Sequence, residues 1–228
     1  MTANDLVMRD PRDALGFVFH ETAIRKLTVG VMGLILKVFM EMRVEGLDHL
    51  PQEGACILVA NHLTNLDVFP MQLALTRPLF FMAKSELFTH KLMGWFIRQL
   101  GAFPVQRGAS DQWALAHSRK LLDHGLVLAI FPEGTRSRGG LSVAKTGAAR
   151  LAIEKNVPIV PLAISGTQCL FKKFPHRAEV HINISAPVLP EPDADPISLT
   201  DQFMFTLASN LPAELRGAYA ARPRGFDL

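Results

Sequence analysis

Cys56-Ile57-Leu58-Val59-Ala60-Asn61-His62-Leu63-Thr64-Asn65-Leu66-Asp67 passes from an unbroken apolar run into a polar segment that carries a histidine and a carboxylate. A short apolar run of this kind suits a strand buried on both faces, as in a parallel sheet. Leu126-Val127-Leu128-Ala129-Ile130, followed by Phe131-Pro132-Glu133-Gly134-Thr135-Arg136-Ser137, repeats the plan with glycine and arginine in the polar part. In open α/β sheets ligands bind outside the carboxyl ends of the strands, so two polar motifs at two strand ends point to one shared site.

Working outward, strand patterns at residues 55–60, 79–83, 102–105, 126–130 and 159–164 alternate with helical patterns at 66–76, 91–99, 111–122 and 145–155. Such alternation implies crossover units and a single-domain α/β fold, a mostly parallel mixed sheet flanked by helices. Residues 180–184 alternate apolar and polar side chains, as expected of an edge strand, and 199–211 reads as a C-terminal helix. Pro187, Pro190, Pro192 and Pro196 mark the segment between them as a linker.

Residues 17–42 read as a helix with a long apolar stretch from 27 to 36, broken by Lys37. It is too short and too charged for a span, and its composition fits an amphipathic helix in the membrane interface. A helix buried against the domain's own core is the other reading. The expected organisation is therefore a membrane-associating helical segment over 1–43 and a catalytic domain over 44–228.

The 228 residues suffice for one sizeable core, and 49% of them are apolar. A net charge of +3 and pI near 9.0 suit anionic headgroups or acidic carriers, while basic and aromatic residues do not interleave as in nucleic-acid binders. Two cysteines, Cys56 and Cys169, form neither a disulfide framework nor a metal set, and no histidine shows ligand spacing, so no metal is expected. The N-terminus has no basic start followed by a short apolar core, so nothing argues for export.

A histidine beside a carboxylate is the usual general base near neutral pH, because the carboxylate fixes the tautomer and stabilises the imidazolium. His62 and Asp67 would diverge on a regular helix, being about 140° apart. They meet if His62 lies in the loop and Asp67 on the first turn of the next helix, with Asn65 as N-cap. No Gly-x-Ser-x-Gly elbow is present, so the proton that His62 takes is expected to come from a substrate hydroxyl. Gly134, Gly139 and Gly140 allow close backbone approach, while Arg136 and Arg138 offer forks that match phosphate oxygens. Lys84 and Arg107 add cations at two further strand ends. Neither a Walker A loop nor a dinucleotide fingerprint occurs.

Taken in order, Asn-His-x-x-x-x-Asp at 61–67, Gly-x-Phe-x-x-x-Arg at 101–107, Phe-Pro-Glu-Gly-Thr-Arg-Ser at 131–137 and Val-Pro-Ile-Val-Pro at 157–161 resemble the blocks of the glycerolipid acyltransferases of the 1-acylglycerol-3-phosphate acyltransferase type. The resemblance implies transfer of a fatty acyl group from acyl-CoA or acyl carrier protein to a lysophospholipid hydroxyl, with no resident cofactor, at the cytoplasmic face of a membrane. It implies His62 as base and Asp67 as its orienting partner. The acceptor-holding residues it implies are Lys84, Arg107, Glu133, Gly134, Thr135 and Arg136. Leu63-Thr64-Asn65-Leu66 departs from the small residues the family often carries between the histidine and the aspartate, which leaves the acceptor open. Another lysolipid or alcohol, a thioesterase or transacylase reaction, and a non-catalytic lipid-binding protein are the alternatives.

Overall fold

In a computed structural model, residues 10–106, 111–137, 139–172 and 174–221 are described. The apolar run at Cys56–Ala60 is strand β2, buried at every position. Successive side chains on a strand point to opposite faces. Accordingly Cys56, Leu58 and Ala60 enter one half of the core, and Ile57 and Val59 the other. A strand covered on both faces needs helices above and below it, and the chain supplies them.

The remaining strands are β1 (Met40–Glu45), β3 (Leu79–Lys84), β4 (Ala102–Val105), β5 (Val127–Ile130), β6 (Ile159–Ser165) and β7 (Ala178–Ile184). Together they form one 7-stranded sheet in the order β1-β7-β6-β2-β5-β3-β4. Every pairing is parallel except β6 with β7. Helices α1 (Ala23–Phe39) and α2 (Val68–Ala74) bury Met32, Leu36 and Met71 on one face. Helix α3 (Lys91–Gln99) packs Phe96 and Ile97 there. Helices α4 (Gln112–Asp123), α5 (Gly147–Lys155) and α6 (Pro196–Ser209) bury Leu121, Leu151 and Phe203 on the other. This is a single-domain α/β fold, as the alternation of patterns implies.

Adjacent strands β2 and β5 send the chain in opposite directions. After β2 the chain crosses by α2 to β3, and after β5 it crosses by α5, on the opposite face, to β6. The two crossovers leave a crevice between the carboxyl ends of β2 and β5, the topological switch point of an open sheet. Residues 61–67 and 131–137 flank that crevice.

Two expectations differ from the structure. The helical reading of 17–42 is shortened, because Met40–Glu45 alternates buried Met40 with exposed Glu41 and pairs in register with β7. Apolar Val38, Phe39 and Met40 carry the helical pattern into the strand and hide the change of period. Residues 178–184 form an interior strand between β1 and β6, not an edge. The alternation there arises because Val180 and Ile182 meet the core while Glu179 and His181 face solvent on the opposite side. The edges are β1 and β4.

Candidate active site

Asn61 prolongs the sheet past the last residue of β2. Its side-chain amide donates to the carbonyl of Ile164 and accepts from the amide of the same residue, both at 2.8 Å, as a strand residue would. With Asn61 held by β6, His62 projects from a fixed point.

The Nδ1 of His62 lies 2.8 Å from Oδ2 of Asp67. Asp67 precedes the first residue of α2, and its side chain turns back into the preceding loop instead of capping the helix. The helix therefore starts later than expected, and Asn65, which is exposed, is not its cap. Oδ2 also accepts from the amides of Leu63 at 2.7 Å and Thr64 at 2.9 Å. The other oxygen, Oδ1, accepts from the hydroxyls of Thr64 at 3.2 Å and Thr167 at 2.6 Å. Asp67 is fully buried, and such a carboxylate is tolerable only when its acceptor sites are filled. Because all these partners donate, Nδ1 of His62 carries the proton toward Asp67 and Nε2 keeps its lone pair. The ring of Phe131 stacks on the imidazole with centroids 4.3 Å apart, so both contacts fix its orientation.

Glu133 ties the two motifs together. Its Oε1 accepts from the amide of His62 at 3.2 Å, and its Oε2 accepts from the hydroxyl of Ser137 and from the amide of Ser142 at 2.8 Å. The amide of Ser137 donates to the carbonyl of His62 at 2.7 Å. Glu133 is buried and turned inward, while Thr135 and Arg136 stand exposed on the same loop. Gly134 sits at a φ of 69°, and a Cβ there would lie 3.1 Å from Nζ of Lys145, so a side chain would push that ammonium away. Lys145 is thus a further cation over the loop, and its backbone amide donates a hydrogen bond to the carbonyl of Pro132 at 2.9 Å.

Lys84 ends β3, the neighbour of β5, with its side chain half in solvent and Nζ 3.5 Å from Glu86. Arg107 and Arg138 lie outside the described residues. Burial pushes the Cys56 thiol up to about 11, which leaves it an inert core group.

Thr167 and Lys145 are the residues that reading the sequence missed. Thr167 follows the carboxyl end of β6, the strand beside β2, and no local spacing links it to Asp67. Lys145 carried only the weak signal of a cation just before α5.

Fold and site define an open α/β domain with a buried histidine–carboxylate pair at its switch point, flanked by cations. The acyltransferase family profile matches residues 41–165, more than half of the chain, and the chain belongs to that family. It is 31% identical to a 1-acyl-sn-glycerol-3-phosphate acyltransferase of Bacillus subtilis over 65% of this chain and 76% of the relative. With the Streptococcus pneumoniae enzyme of the same name it shares 34% identity over 74% of this chain and 62% of that one. Identity is 33% with a chloroplastic relative of that name from Brassica napus, of which the match spans 38%. Among solved structures, the 1-acyl-sn-glycerophosphate acyltransferase PlsC of Thermotoga maritima superposes with a TM-score of 0.65 at 29% identity. That match covers 88% of this chain and 81% of the other.

Proposed function

We propose that this protein transfers a fatty acyl group from an acyl thioester to the free hydroxyl of 1-acylglycerol-3-phosphate, giving phosphatidic acid. The single observation that carries the reading is the His62–Asp67 pair, buried at the switch point and tied through Glu133 to the loop that bears Arg136. His62 Nε2 takes the proton of the acceptor hydroxyl as its oxygen attacks the thioester carbonyl. The tetrahedral intermediate collapses with cleavage of the C–S bond, and the thiolate leaves with a proton from the imidazolium. Asp67 stabilises that imidazolium and never needs to take the proton itself.

Arg136, Lys84 and Arg107 hold the acceptor phosphate, with Lys145 as a further cation beside Gly134. Thr135 and the Gly134 backbone border the same anion. Glu133 serves the acceptor indirectly by fixing the loop, since an inward carboxylate would repel phosphate. The relatives' names support this acceptor, and acyl-CoA and acyl carrier protein both suit the basic chain as donors.

Membrane contact belongs to α1. Ile24, Leu27, Val31, Leu34, Ile35 and Val38 are all at least half exposed and share one side of the helix, an apolar stripe that a bilayer interface would cover. No helix among the described residues is long and apolar enough to cross a membrane. The protein is placed by this reading on the cytoplasmic face as a peripheral or monotopic enzyme.

Mass spectrometry of products from a mixed pool of lysolipids, with each thioester donor in turn, tests the assignment. Phosphatidic acid dominating the products is the expected outcome. Release of free fatty acid regardless of added lysolipid would instead show a thioesterase.

A further inference from the structure

A cavity of about 170 Å³ lies at the amino ends of β3 and β4, away from His62 at the carboxyl end of β2. Phe80 near the start of β3 and Gly101 and Ala102 at the start of β4 form its floor, and the segment of residues 16–22 closes it. Since β3 and β4 run parallel to β2 and β5, these amino ends cannot belong to the catalytic crevice.

Arg25, on the first turns of α1, reaches into this region with only 4% of its surface exposed. No described carboxylate pairs with it. Its Nη2 donates to the carbonyl of Leu79 at 2.5 Å and to Gln72 Oε1 at 3.3 Å, while its buried Nε has no partner among the described residues. The guanidinium lies over the Phe80 ring, 4.5 Å from the centroid. Glu21 acts on it only from a distance and is paired with Lys26 at 3.1 Å. A buried cation facing carbonyls and rings is costly to desolvate, and burial pushes Arg25 down to about 10. Arg98 lines the same cavity, bonded to the carbonyls of Gly94 and Leu15, so two cations and no carboxylate border the space.

Phe17, Phe19, Trp95 and Phe103 supply the aromatic part of the wall, and His20, Thr22, Gln99 and Leu121 also line it. Val18 and Trp95 are also nearly half exposed, so the rim opens on apolar surface. His117 also lines the cavity and is neutral at pH 7.

We propose that this cavity binds an amphiphilic anion, a carboxylate or phosphate monoester on an apolar chain, with its head on Arg25 and its chain leaving past Val18 and Trp95. The volume suits a headgroup and the first few carbons, and the remainder lies along the rim. An anion there neutralises a cation that the fold leaves unpaired.

The test is isothermal titration of the full chain with decanoate, decyl phosphate, decanol and inorganic phosphate, each below micelle formation. One of the two amphiphilic anions is expected to bind once per chain, with equal affinity in wild type and His62→Ala. Arg25→Met should weaken it at least tenfold, and Val18→Asp at the exposed rim at least threefold. Should Arg25→Met fail to fold by circular dichroism, the rim variant decides alone. Unchanged affinity in the folded variants, loss of binding in His62→Ala, or no binding to wild type would overturn the proposal. So would decanol or inorganic phosphate binding as tightly as the amphiphile.

Discussion

Asp67 is held by more donors than an orienting carboxylate needs for neutralisation alone, and the donors divide by oxygen. Oδ2 receives His62 and two amides, whereas Oδ1 receives two hydroxyls, those of Thr64 and Thr167. The Thr167 contact, at 2.6 Å and fully buried, is the short one on Oδ1 and reaches Asp67 from a different strand end. A hydrogen bond to a charged group contributes roughly 1.5–3 kcal/mol. Thr167→Val should therefore lower kcat about tenfold with little change in KM, and Thr167→Ser should restore it. Steady-state kinetics of the pair checks this; an unchanged kcat in the valine variant would show that Asp67 is positioned without Thr167. The sequence could suggest His62 and Asp67 because both lie in one short loop. It could not suggest Thr167, which reaches Asp67 only when β6 is laid beside β2.

Strands β2 and β5 are legible because a short apolar run followed at once by polar residues has few other readings. The start of α2 is less so: Asn65 has the chemistry of a cap, but Asp67 is drawn inward by His62 and the loop amides, and the helix begins beyond it. Strand β1 is hidden by the helix before it, since apolar residues at the junction satisfy both periods. The sequence of α1 fits either an amphipathic interfacial helix or a buried one, and the structure shows why both readings arise. Met32 and Leu36 face the core, while Leu27 and Leu34, 68% and 71% exposed, face outward. Replacing both Leu27 and Leu34 with Glu should abolish sedimentation with anionic vesicles while leaving the far-ultraviolet circular dichroism unchanged. Retained sedimentation would move membrane contact to another surface, such as Leu92 and Trp95 on α3.

Across the whole molecule, the strand order places His62 and Asp67 at the carboxyl end of the central strand β2 and a cage of aromatic rings beside the edge strand β4. His117 sits in that cage, stacked on Trp113 at 4.9 Å and edge-on to Phe17 at 4.7 Å. Burial, reinforced by Lys120, pushes it down to about 4. The unfolded chain takes up this proton near pH 6.5 and the folded chain only near 4, so stability present above pH 6.5 is lost as pH falls toward 4. By pH 4.5 the loss from this group is roughly 2–3 kcal/mol at 1.36 kcal/mol per unit. Urea unfolding at pH 7 and 4.5 should show His117→Gln losing less stability on acidification than wild type; equal losses would mean that His117 is not the group responsible.

The proposed reaction makes one chemical demand, that a lipid hydroxyl lose its proton to His62 at the β2–β5 crevice. The direct measurement is turnover of lysophosphatidic acid with an acyl thioester by wild type and His62→Ala, both checked for folding. Phosphatidic acid formed by the wild type should fall by about 100-fold or more in the variant, the contribution expected of a general base. Wild-type turnover in His62→Ala would contradict the account.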